Sequence, residues 1–97
     1  MTPKGMKSQI EERYKSLELR MERLYEKVKI GEWTCFVRPD GSLFTLEYII
    51  PYGALVIGYA DNEEEAKLNR FEDGDLFYLE DMDEETMFNA MIQEIQQ

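Results

Sequence analysis

The stretch that decides the fold is Trp33–Ala60, WTCFVRPDGSLFTLEYIIPYGALVIGYA. It holds three short apolar runs, rich in β-branched and aromatic residues, separated by two groups of turn-forming residues. The first run, Glu32–Val37, alternates, placing Trp33, Cys35 and Val37 on one face. Pro39-Asp40-Gly41 then supplies a pre-set φ and a permissive glycine, the chemistry of a tight hairpin. The return run, Leu43–Ile50, leads to a second turn at Pro51-Tyr52-Gly53. Ala54–Ala60 is almost continuously apolar, the pattern of a strand covered on both faces. Three antiparallel strands in a meander are predicted.

On the N-terminal side, Met6–Lys29 reads as one long helix, with no Pro or Gly and many good helix formers. Ile10, Tyr14, Leu17, Met21, Leu24 and Val28 recur in steps of four and three, and Gly31 is taken as the helix stop. The steps match an a/d seam, with Arg13, Arg20 and Lys27 at g and Glu11 and Glu18 at e, so a homodimer through this helix is one reading. Leu19 and Tyr25 fall outside the seam and would widen the stripe. A wider stripe favours a helix laid on its own sheet.

On the C-terminal side, Asp61 or Asn62 can cap a short helix whose first turn carries Glu63, Glu64 and Glu65. Glu72–Asp75 reads as a turn in which Gly74 takes a positive φ. Leu76–Leu79 reads as a fourth strand. Asp83 caps a closing helix lined by Met87, Phe88, Met91, Ile92 and Ile95, with Met82 and Met87 placed as a hydrophobic staple. The expectation is a single α+β domain over residues 1–97: a long N-terminal helix, an antiparallel meander of three to four strands, a short helix and a C-terminal amphipathic helix, with the helices mainly on one face.

Composition narrows the chemistry. The chain has 97 residues and a net charge of -10. Residues 1–40 carry nine Lys or Arg against seven Asp or Glu, whereas residues 41–97 carry two against fourteen. So acidic a surface repels nucleic acid and anionic lipid, which are bound by clustered cations. No histidine occurs, so the commonest general base and the Ser-His and Cys-His pairs are missing. The lone Cys35 alternates with Trp33 and Val37 and reads as a small buried residue rather than a nucleophile. One cysteine excludes an internal disulfide and a thiolate metal cage. With no Gly-rich phosphate loop and no apolar run of signal or membrane length, a cytoplasmic protein without a cofactor, and without catalytic activity, is expected.

The acids concentrate in Phe71–Glu85, FEDGDLFYLEDMDEE, which carries eight carboxylates. Asn69–Glu80 can be laid over a calcium loop with Asn69, Asp73 and Glu80 at places one, five and twelve. Place three is then Phe71, which supplies no oxygen, so no metal is expected. The acids are therefore either a solvated face or an interaction surface. Interleaved aromatics favour the second, with rings as anchors and charges steering encounter. On that reading Glu63, Glu64, Glu72, Asp73, Asp75, Glu80 and Asp81 orient a basic protein partner, and Phe71 and Tyr78 anchor it.

The segments YADNEEEA, NRFEDGDLF and the closing amphipathic helix resemble the acidic strand-helix-turn of some small immunity proteins of bacterial polymorphic toxin systems. The resemblance covers roughly Ala54–Ile95. It implies a cytoplasmic α+β protein that neutralises a cognate toxin domain, often a basic nuclease, by covering its active site. It supplies no catalytic residue, and the N-terminal helix has no counterpart in it.

Overall fold

The structure is a computed structural model that describes residues 3–97, with side chains from Gly5 onward. Met1 and Thr2, the first residues of the N-terminal segment in which no apolar run of signal length is found, lie outside the described residues. The elements run α1 (Pro3–Glu22), β1 (Glu26–Ile30), β2 (Trp33–Val37), β3 (Leu43–Ile49), a 3-10 turn (Ile50–Tyr52), β4 (Ala54–Ala60), α2 (Glu63–Lys67), β5 (Glu72–Tyr78) and α3 (Glu84–Ile95). The fold is α+β. Five antiparallel strands form one sheet in the order β1-β2-β3-β4-β5, so every strand lies beside its sequence neighbours.

The N-terminal helix is shorter than its apolar spacing suggests. It ends at Glu22, where the Met21 carbonyl accepts the amides of Leu24 and Tyr25 at 3.0 and 2.9 Å. Glu26–Ile30 is instead a strand, paired with β2 from Glu26↔Val37 to Ile30↔Trp33. The physical reason lies in EKVKI itself: β-branched Val28 and Ile30 alternate with Lys27 and Lys29, a period of two that the helical spacing overlapped. Gly31 does not stop a helix but turns the β1–β2 hairpin, with φ at 60°. Leu19 is 58% exposed and does not widen the buried stripe. Tyr25 lies beyond the helix, its ring edge-on to Phe44 with centroids 5.1 Å apart.

One face of the sheet carries the main core. Phe36, Phe44, Leu46, Leu55, Ile57 and Phe77 point at Ile10, Leu17 and Met21 of α1 and at Met87, Met91 and Ile95 of α3. The three α1 residues are fully buried there, so the helix turns its stripe to its own sheet. Ser16 Oγ donates to Glu84 at 2.8 Å, and Arg20 bonds Glu85 at 3.0 Å while its guanidinium lies 4.1 Å from the Phe88 ring centre. Arg13 also donates to the Met82 carbonyl at 3.1 Å. These contacts tie α1 to the start of α3. Asp83 caps that start by accepting from the Thr86 amide at 2.8 Å.

The opposite face is covered only at one end. There α2, capped by Asn62, lowers Ala66 onto Ile30, Cys35, Leu43 and Ala60, with Val28, Trp33, Val37 and Phe71 around them.

The acidic segment Glu72–Asp75 is strand rather than turn, and Gly74 has no positive φ. Val56 faces Leu76 and Gly58 faces Asp73, so Gly74 and Asp75 together oppose Ile57 in a β-bulge. Glu94 of α3 closes the bulge, accepting from the Asp75 amide at 2.9 Å and from the Tyr59 hydroxyl at 2.5 Å. A Cβ on residue 74 would overlap the Glu94 carboxylate, which explains the glycine there by close approach instead of by φ.

Candidate protein-binding face

Side chains directly opposed across antiparallel strands share a face, so the register assembles the open end of the sheet row by row. Ile49, Ala54 and Tyr78 form one row across β3, β4 and β5, and Glu47, Val56 and Leu76 form the next. Thr45, Gly58 and Asp73 form the third. Ala54 and Val56 are small and sink between their taller neighbours. Ile49, Leu76 and Tyr78 remain half-buried and belong to neither packed cluster.

Gly58 makes a saddle in the third row. Oε2 of Glu47 and Oδ1 of Asp73 lie 3.4 and 3.5 Å from where a Cβ at position 58 would stand, so the two oxygens are within about 7 Å of each other. Cβ of Phe71 walls the same space at 3.3 Å. Neither Glu47 nor Asp73 makes an ion pair with any described residue. Burial, and then the charge of Asp73, push the Glu47 carboxyl above the ordinary glutamate range.

Beside Glu47 the sheet opens. β2 pairs with β3 only through Phe36↔Phe44 and Val37↔Leu43 before the strands part, and Thr45 Oγ1 bridges the gap to the Thr34 carbonyl at 2.9 Å. A cleft of about 350 Å3 occupies the split, with Trp33, Glu47 and Tyr48 in its walls. The Trp33 ring also rests against Phe71, centroids 5.1 Å apart.

The residues expected from sequence to meet a partner do not form one patch. Asp73 and Tyr78 lie on the open face. Phe71 packs against Trp33 and borders that face as part of its frame. Glu72 opposes Tyr59 and so points to the helix-covered side. Asp75 sits in the bulge. Glu63 and Glu64 project from the exposed first turn of α2, with Lys67 Nζ 3.8 Å from Glu63. Glu80 and Asp81 stand in the exposed turn before α3.

Sequence reasoning missed Glu47 and Trp33. Glu47 carried a signal, being the one charged residue in the strand Leu43–Ile49. Its place on the same face as Ile49 follows from the strand period.

The other candidates for chemistry are occupied by structure. Cys35 is fully buried, and burial pushes its thiol up. Tyr14 is pushed up to about 12 by burial and by Glu18, and Tyr59 is raised by burial and by its bond to Glu94. Both are hydrogen-bond donors at neutral pH. Asn69, Asp73 and Glu80, the notional calcium places, are strung before, along and after the extended strand β5. Among the described residues no helix is long and apolar enough to cross a membrane, and no three acidic, Cys or His side chains are grouped to hold a metal. Comparison with protein families, curated proteins and solved structures finds no match to this chain.

Proposed function

We propose that this chain is a protein-binding module that recognises a basic partner without catalysing a reaction, acting in the bacterial cytoplasm as an immunity-type inhibitor of a toxin domain. The observation that carries the reading is the open sheet face, where Ile49, Leu76 and Tyr78 lie beside two carboxylates that no cation among the described residues neutralises. Half-buried apolar side chains supply area to be desolvated, and uncompensated charge supplies steering and orientation.

Both outer strands are poor templates for strand addition. β1 carries Lys27 and Lys29, and β5 is bent by its bulge. The partner is therefore expected on the face and not along an edge.

The test is co-expression with the C-terminal domain of a secreted toxin encoded in the adjacent gene. A stable complex together with restored growth of the host supports the reading. A toxin domain that neither binds nor is neutralised overturns it.

A further inference from the structure

The open face carries more than apolar area and net charge, and its third row has a specific shape. Gly58 leaves a saddle whose floor carries no side chain, bounded by Oε2 of Glu47 at 3.4 Å, Oδ1 of Asp73 at 3.5 Å and Cβ of Phe71 at 3.3 Å from the point where a Cβ of residue 58 would stand, so that a planar group lying over the glycine reaches both carboxylates. We propose that this saddle receives an arginine side chain of the protein partner, its guanidinium bridging Glu47 and Asp73 while Leu76 and Tyr78 pack against the partner's flanking apolar residues. The inference rests on the protein-binding reading and names its central contact.

Three observations favour this occupant. The carboxylates stand too close to be indifferent to each other and have no counter-cation among the described residues. A planar fork with five donors can bond two carboxylates at once, which a single ammonium does less well. The Trp33–Phe71 pair forms an aromatic wall on the Phe71 side of the saddle, suited to the face of a guanidinium.

A second copy of the chain is a poor occupant in the symmetric arrangement. An isologous pair whose two-fold axis passes through the saddle would set Glu47 and Asp73 against the same two residues, like charge on like charge.

The experiment is an amide NMR titration with the capped peptide Ac-Gly-Arg-Gly-NH2, and with Ac-Gly-Gln-Gly-NH2 as the neutral control. The expected result is a saturable shift centred on Glu47, Gly58 and Asp73 with the arginine peptide alone. Affinity should fall at least about tenfold in Glu47→Gln/Asp73→Asn, which removes both charge-assisted bonds. Gly58→Ala keeps both charges but fills the saddle, and should weaken binding to a similar degree. Circular dichroism establishes that each variant is folded, and Asp73→Asn alone serves if Gly58→Ala is not. Shifts centred on α2 or on residues 80–85 would overturn the saddle while leaving a basic partner in place. Shifts equal for both peptides, or unchanged in the variants, would overturn it too. No saturable shift anywhere would remove the support for both inferences.

Discussion

Substituting Gly74 by alanine tests how the bulge is held. Residue 74 needs no positive φ, so alanine meets no backbone strain, and in a strand interior it should be favoured over glycine by about 0.5–1 kcal/mol. Its Cβ, however, would enter the space of the Glu94 carboxylate. The carboxylate must then leave the Asp75 amide and the Tyr59 hydroxyl, which it holds at 2.9 and 2.5 Å. Charge-assisted bonds contribute about 1.5–3 kcal/mol each, and water can replace only the exposed Asp75 contact in full. The expected net cost of Gly74→Ala is therefore about 1–2 kcal/mol, or roughly 4–16 °C in melting temperature for a chain of this size.

The decisive comparison is with Glu94→Ala, which removes the same bonds. In that background Gly74→Ala should be neutral or stabilising, giving a coupling of about 2 kcal/mol. Urea unfolding of the four proteins, followed by circular dichroism, measures it. An equal cost of Gly74→Ala in both backgrounds would refute the close-approach explanation.

Other perturbations follow the same logic. Leu17→Asp should unfold the chain, because it buries an unpaired charge between α1 and the sheet, whereas Leu24→Ser should change stability by about 0.5 kcal/mol or less, since Leu24 is 58% exposed. A folded Leu17→Asp protein, seen by circular dichroism, would contradict the packing of α1. The Glu47 carboxyl is raised by burial and then by Asp73, so in the interval between its unfolded and folded values the native state keeps a proton that the unfolded chain has lost. The resulting stability is present below the ordinary glutamate range and disappears as pH rises through the raised value. Glu47→Gln should accordingly raise the melting temperature at about pH 7 and little at about pH 4, and an unchanged difference between the two would speak against it. Asp83 is lowered by its bond from the Thr86 amide, so its contribution is present above the unfolded value and lost as pH falls through the folded one. Asp83→Ala should lower the melting temperature at neutral pH, with the difference fading in acid.

The meander from Trp33 to Ala60 was legible because alternation and turn chemistry agree there, and residues 39–41 and 51–53 do turn the chain. The closing helix was legible for the same reason: Asp83, Met82 and the Met87-Met91-Ile95 stripe all mark it. Two strands were obscured by competing periods. In β1, Val28 extends the spacing of the preceding helix by four from Leu24, and only tertiary pairing with β2 decides between the two. In β5, Gly74 among acids imitates a turn, while its actual constraint comes from Glu94, twenty residues away in sequence.

The candidate face depended on the same nonlocal register. Asp73 and Tyr78 could be singled out as an acid and an aromatic near other acids. Their alignment with Glu47 requires knowing that Gly58 opposes Asp73 and that Val56 lies between Glu47 and Leu76. Conversely, Glu63, Glu64, Glu80 and Asp81 share composition with Asp73 but not its face.

On the proposed reading the open sheet face, and not acidity in general, receives the partner. Stopped-flow association with the toxin domain from the adjacent gene, over a range of ionic strength, tests it through two variants of equal charge change. Glu47→Lys/Asp73→Lys should slow association at least about tenfold at low salt and flatten its salt dependence, whereas Glu63→Lys/Glu64→Lys should leave the rate within about twofold. Equal slowing by both pairs, or slowing by the α2 pair alone, would contradict the claim.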